Sequence, residues 1–188
     1  MHYTSIENIH KVIDPLFLDD LKKEFKEIQA VTVRRTKEKR LDEFQNKLAS
    51  LTFLDPACGS GNFLTETYLS LRRLENEVIR ERVGGQITLG EVHNPIKVSI
   101  QQFYGIEIND FAVTVAKTAL WIAESQMLEE TKNIVYGFND DFLPLKTYVN
   151  ITEGNALRID WNEVVPVERL SYICLLYTSD AADEEDSV

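Results

Sequence analysis

The stretch Leu51-Thr52-Phe53-Leu54-Asp55-Pro56-Ala57-Cys58-Gly59-Ser60-Gly61-Asn62 constrains this chain more than any other. A short apolar run ends at an acid, turns through two glycines and enters a segment in which Leu64, Tyr68, Leu71, Leu74 and Val78 share one helical face. Strand, glycine turn and helix make the opening unit of an α/β sheet, where ligands bind outside the carboxyl ends of strands. Gly59 and Gly61 let a ligand approach the backbone closely, and Asp55 points its charge into the same crevice. Leu64 stands where a dinucleotide fingerprint wants a third glycine, which weakens a nicotinamide reading. No Lys-Ser/Thr follows the glycines, which excludes a P-loop. Taken alone, Asp55-Pro56 reads equally as a turn initiator.

Around this unit the pattern alternates. Thr4 and Glu7 fit a capping box ahead of Ile6, Ile9 and Ile13; Pro15 interrupts that helix, and Leu16 to Leu21 restart it through Phe25 and Ile28. A charged helix is expected from about Lys37 to Leu48, with Leu41, Phe44 and Leu48 as its apolar stripe. Gly84-Gly85 closes the helix after the glycine turn or opens a loop. A second strand, Phe103 to Ile108, ends at Asn109-Asp110, and its helix carries Val115, Ala119 and Ile122 on one stripe to about Met127. Tyr148 to Thr152 and Leu170 to Ile173 are the third and fourth strands. This order predicts a parallel α/β sheet.

The polar groups at the strand ends carry the chemistry. Glu107 ends the second strand, where a carboxylate can accept hydrogen bonds from both hydroxyls of a ribose. Asn155, after the third, offers an amide to the edge of an adenine ring. Singly, an exposed strand-end acid is the plainer reading of Glu107, and a turn residue is as good a reading of Asn155. Together with Asp55 they outline a cofactor crevice.

With 188 residues, 44% of them hydrophobic, the chain can bury one core. Its start lacks the basic and apolar regions of a signal peptide and no stretch is long and apolar enough to span a bilayer, so the cytoplasm is the expected compartment and no membrane partner is expected. A formal charge of −11 argues against a free-standing nucleic-acid binder. Arg34, Arg35, Lys37, Lys39 and Arg40 form a basic cluster, but Glu38, Asp42 and Glu43 dilute it, which favours a solvated helix face over a phosphate contact. His2, His10 and His93, and the distant Cys58 and Cys174, have no metal-ligand spacing. Trp121 reads as core, and Trp161 says little.

Phe53 to Phe63 resembles motif I of the amino-group, adenine-specific DNA methyltransferases; Tyr104-Gly105-Ile106-Glu107-Ile108 resembles motif II and Glu153-Gly154-Asn155-Ala156-Leu157 motif III. Tyr3-Thr4-Ser5 resembles motif X, which precedes motif I in the gamma arrangement. Pro15-Leu16-Phe17-Leu18 and the segment Phe111–Met127, with Ala119-Leu120-Trp121, resemble the large fused type II restriction–modification methyltransferases. The resemblance covers nearly all of residues 3–173. It implies an α/β, Rossmann-like class I S-adenosylmethionine-dependent core, truncated and preceded by a helical segment. Asp55, Pro56, Ala57, Gly59 and Gly61, helped by Tyr3, Thr4 and Ser5, would hold the methionine part of S-adenosyl-L-methionine. Glu107 would bind the ribose, Ile108 would pack on the adenine, and Asn155, with Ala156 beside it, would contact the adenine amine, a contact an amide keeps though without charge. Asn155 departs from the Asp often found there. Cys58 is a small loop residue rather than a nucleophile.

The resemblance also implies what should follow Ile173: an Asn/Asp-Pro-Pro-Tyr/Phe motif that accepts the amine protons of a flipped adenine and stacks on it. In its place, Cys174 to Glu184 resembles a translated sequencing adapter; an acidic disordered tail is the alternative. The expected organisation is therefore a helical segment with a motif X remnant over 1–50, a partial cofactor domain over 51–173 and a non-native tail over 174–188. Such a fragment is expected to be inactive alone and at best to bind cofactor weakly. Its parent would methylate adenine in double-stranded DNA through a recognition domain outside this chain, in a restriction–modification or phage-defence setting. A methyltransferase acting on RNA or protein glutamine, or a non-catalytic nucleotide-binding module, are the alternatives. The oligomeric state is left open.

Overall fold

The computed structural model describes residues 5–84, 95–135 and 149–174. Tyr3, Thr4 and the segment after Cys174 lie outside them. The chain opens with helix α1 (Ile6–Ile13), whose N-cap is Ser5: its hydroxyl accepts the Asn8 N–H at 3.3 Å. The N-cap is thus Ser5, one residue after the Thr4 expected to open a capping box with Glu7, and Thr4 itself lies outside the described residues. Ile9 and Ile13 turn inward, as their spacing predicts.

Pro15 does not break the helix. Asp14–Leu18 forms a π-helical turn that runs directly into α2 (Asp19–Gln29), with the Asp19 N–H reaching back to the Asp14 carbonyl. The wider turn accommodates a residue with no N–H to give. It also aims Phe17 at the sheet, where its ring lies 5.2 Å from Phe53 and 5.1 Å from Tyr172.

Helix α3 (Arg34–Ser50) starts earlier than its charge pattern suggests and buries Leu41, Phe44, Gln45 and Leu48. Strand β1 (Phe53–Asp55) follows, then α4 (Asn62–Val83), which buries the predicted Leu64, Tyr68, Leu71, Leu74 and Val78. Gly84 caps α4; Gly85 lies outside the described residues. Strand β2 (Phe103–Glu107) leads into α5 (Asp110–Lys132), capped by Asn109, whose side chain accepts the Ala112 N–H. Strand β3 (Asn150–Glu153), a short α6 (Trp161–Val164) and β4 (Tyr172–Ile173) complete the order.

The four strands are parallel and ordered β3-β2-β1-β4. The order in which the chain adds strands reverses at β1, β2 and β3 lying to one side and β4 to the other, so the crevice where such sheets bind ligands opens at the carboxyl end of β1. Tyr172, Phe53 and Phe103 are register partners across β4, β1 and β2, and their rings stack, 5.4 and 5.2 Å apart. Tyr68 of α4 closes edge-on over Phe103. One core unites α1 to α5 with this sheet face; Leu54, Ile106 and Val165 form a smaller core on the opposite face. Cys174 extends β4 through its N–H to the Leu54 carbonyl at 2.8 Å.

The expected stripe on α5 is the wrong one. Ile122 is 53% exposed, whereas Ala112, Ala116, Leu120, Ala123 and Met127 are buried. Small residues let α5 close on α4 and its loop: a Cβ on Gly61 would sit 2.9 Å from that of Ala116. Trp121 is only partly buried at the core's edge. Between α3, α4 and α5 lies a buried polar cluster that hydrophobic periodicity does not reveal. Glu75 is paired with Arg72 and accepts Gln45 Nε2 at 2.7 Å and the Lys97 N–H at 2.6 Å; Arg72 reaches Thr131 Oγ1 at 2.8 Å.

Candidate functional site

β1 delivers Asp55 to the sheet's carboxyl edge, and the chain must then turn sharply into α4. Gly59 (φ +53°) and Gly61 (φ +79°) take left-handed conformations that a side chain would strain. Nothing lies within 4 Å of a Cβ built on Gly59, so the space above it is open. Gly61 is closed by Ala116 and serves as the N-cap of α4.

Two bonds tie this loop to β2. The Cys58 N–H donates to the Ile106 carbonyl at 3.1 Å, and the Gly59 N–H to Glu107 Oε2 at 2.9 Å. Glu107 Oε1 accepts the Asn109 N–H at 2.9 Å, which orders the turn into α5. Each carboxylate oxygen of Glu107 carries a second lone pair, and the residue is only half-buried.

Asp55 is buried, 6% exposed, and its Oδ1 accepts the Ala57 N–H at 3.0 Å. Burial pushes its carboxyl up to about 6, the Ala57 N–H pulling against that and the charge of Glu107 adding to it. Pro56 is buried and Ala57 exposed. The expectation that Asp55 points freely into the crevice is thus refined: its charge lies at the crevice floor, turned onto its own loop. Cys58 is buried too, its thiol pushed up to about 12 by burial and then by Asp55 and Glu107, which leaves no nucleophilic thiolate.

Beyond β3, the Gly154 N–H bonds the Glu107 carbonyl at 2.8 Å, bringing the third strand end against the second. Asn155 folds its Oδ1 onto the Leu157 N–H at 2.9 Å, which leaves its Nδ2 without a partner among the described residues. The Ala156 carbonyl accepts the Trp161 indole N–H at 2.8 Å, so Trp161 fixes this turn. That role was invisible in the sequence, where a lone Trp in a polar stretch carries no signal. Ile108, immediately after β2, is 68% exposed, and Phe111, in the first turn of α5, is 70% exposed, so apolar surface stands open next to Glu107 in the chain.

Asp55, Gly59, Gly61 and Glu107 are thus brought together, with Ile108, Asn155 and Ala156 following the adjoining strand ends. Ser5 caps α1, and Tyr3 and Thr4 lie outside the described residues. Three of the five basic residues of the α3 cluster are engaged in ion pairs: Arg34 with Glu38, Lys37 with Glu81 and Lys39 with Glu43. No group of three or more His, Cys, Asp or Glu residues suited to a metal ion occurs among the described residues, and no described helix is long and apolar enough to cross a membrane.

Residues 31–176 match the family described as MmeI, DNA-methyltransferase domain. The chain is 46% identical over 168 residues, 89% of its own length, to DNA methyltransferase A of Bacillus subtilis, and covers 18% of that protein. It is 34% identical over 74 residues, 39% of its length and 5% of the relative's, to the adenine-specific methyltransferase PglX of Streptomyces coelicolor. A solved structure of the type IIL restriction–modification enzyme MmeI in complex with DNA superposes with a TM-score of 0.81 at 42% identity, over 92% of this chain and 22% of that one. The chain thus spans about a fifth of the length of DNA methyltransferase A and of the MmeI structure. With a parallel sheet, a glycine turn at its switch point and these matches, the chain belongs to the MmeI DNA-methyltransferase domain family and folds as a Rossmann-like methyltransferase core.

Proposed function

We propose that this chain is the S-adenosyl-L-methionine-binding part of a DNA adenine methyltransferase of a restriction–modification system. One observation carries the reading: Glu107 holds the glycine loop by its Gly59 N–H while keeping lone pairs free at the crevice. A carboxylate so placed suits the two hydroxyls of a ribose, and charge-assisted bonds of this kind contribute roughly 1.5–3 kcal/mol each. The exposed Ile108 offers an apolar surface to the adenine ring, and Asn155 Nδ2 a donor to a ring nitrogen. Asp55, Pro56, Ala57 and the bare backbone at Gly59 and Gly61 receive the methionine part, whose ammonium suits the buried charge of Asp55.

When bound, the cofactor supplies an activated methyl group on a sulfonium. These residues bind and orient it, so that a methyl acceptor approaches in line. The chain holds no consecutive prolines, and none of its residues is assigned the deprotonation of the base. Adenine as the target rests on the motif resemblance, supported by the name of the Streptomyces relative. The substrate of the whole protein is double-stranded DNA, as supported by the DNA-bound MmeI structure; with a net charge of −11, this chain leaves most phosphate contacts to recognition elements elsewhere. Photo-crosslinking the full chain with radiolabelled S-adenosylmethionine tests the reading: labelling should be suppressed by S-adenosylhomocysteine and not by NAD. Suppression by NAD alone would refute it.

A further inference from the structure

Gly105 sits in the middle of β2, where a glycine weakens a strand and asks for a reason. It lies opposite Asp55 in the register, on the sheet face that bears the glycine loop. A Cβ there would meet Cys58 Sγ at 2.8 Å, Cys58 Cβ at 3.2 Å and Ile151 Cδ1 at 2.7 Å. The thiol of the loop therefore rests on the one position without a side chain among the described strands.

We propose that Cys58, seated on Gly105, is the positioning residue that holds the glycine loop in its ligand-ready shape. This deepens the cofactor reading and rests on it. Cys58 is attached to β2 twice, by its side chain on Gly105 and by its N–H on the Ile106 carbonyl at 3.1 Å. The next N–H along the chain, that of Gly59, is the one Glu107 accepts, and the Gly61 N–H returns to the Cys58 carbonyl at 2.8 Å. Lifting Cys58 off the strand would draw Gly59 from Glu107 and unwind the turn into α4.

The residue type follows from the surroundings. The acceptor that the thiol faces is the Gly59 carbonyl, 3.9 Å away, too far for a serine hydroxyl in the same place. Serine would be buried unsatisfied, whereas a sulfhydryl behaves as a small hydrophobe. Cys58 touches no ligand in this account; it acts through Gly59 and Glu107.

The test uses the full chain and two readouts: alkylation of Cys58 by N-ethylmaleimide, mapped by peptide mass, and calorimetric affinity for S-adenosylmethionine. Gly105→Ala should speed alkylation and weaken S-adenosylmethionine binding, each about tenfold, because the added methyl must displace the thiol. Adding Cys58→Ala, in which the methyl added at 105 takes the space the thiol leaves and reseats the loop on β2, should bring affinity back to within about threefold of wild type; adding Ile151→Val, which relieves only the sheet side, should not. Rescue by Ile151→Val alone, or an unchanged affinity and alkylation rate in Gly105→Ala, overturns the proposal. Should Gly105→Ala fail to fold, Cys58→Leu enlarges the same contact from the loop side, and unchanged affinity there overturns it equally. If the wild type takes up no S-adenosylmethionine, the cofactor reading fails, while the alkylation rates still decide whether Gly105 seats Cys58.

Discussion

The carboxylate of Glu107 accepts the backbone N–H of Gly59 at 2.9 Å, joining the end of β2 to the turn after β1. The same side chain accepts the Asn109 N–H, so a single residue orders the entries to both α4 and α5. Glu107→Ala is expected to lower stability by about 2 kcal/mol, since two charge-assisted bonds vanish at a half-buried site. Glu107→Gln keeps an acceptor for one of them and should cost less. Urea unfolding of the two variants checks the order.

Asp55 makes stability depend on pH. Its folded value of about 6 lies above the ordinary 3.8, so the folded chain binds a proton that the unfolded chain releases. The stability this confers is complete below 3.8 and is lost as pH rises through about 6. Asp55→Asn removes the cost of ionising the buried acid. It should therefore be the more stable protein at pH 7.5, by at most about 3 kcal/mol, with the advantage shrinking towards pH 4. Thermal melts across that range decide it.

His10 adds a second slope of the same sign from a different cause. Its Nδ1 lies 2.9 Å from Asp14 Oδ1 and its Nε2 3.1 Å from Glu66 Oε1, while Arg73 also reaches Glu66. Only an imidazolium can donate to both carboxylates at once. The bond to Asp14 raises the pKa above 6.5; burial opposes this, and the bond to Glu66 adds to the rise. The stability from this link between α1 and α4 is complete below 6.5 and fades as pH climbs through the raised value. His10→Gln should flatten the decline of melting temperature above neutrality that remains in Asp55→Asn. NMR titration of the imidazole reads the same event directly.

The two glycines of the turn should respond differently to alanine. Gly59→Ala meets only backbone strain, because its Cβ position is open, and should cost about 1 kcal/mol. Gly61→Ala combines left-handed strain with a clash against Ala116 and should cost roughly 2–4 kcal/mol. Adding Ala116→Gly should recover only the packing share.

The turn after β1 and the acids at the strand ends were legible because glycine spacing and a charge ending an apolar run are local signals. The parallel order of strands followed from the same alternation. Pro15 misled because a π turn is set by how α1 and α2 pack Phe17 onto the sheet, which no local pattern announces. The face of α5 misled because apolar bulk was read as core, while close approach to α4 selects alanines and leaves Ile122 outside. Arg72 and Glu75 carry no local sign of burial; besides pairing with each other, they are held by groups far along the chain, Thr131 and the amides of Lys97 and Val98. Gly105 has a visible partner only once β2 and the loop are juxtaposed.

The most direct test of the account is a calorimetric titration of the full chain and its Glu107→Ala variant with S-adenosylmethionine. Saturable binding that weakens at least about tenfold in the variant is the predicted result. Equal affinity in both proteins, or a preference for NAD over S-adenosylmethionine in the wild type, would contradict the assignment of this crevice.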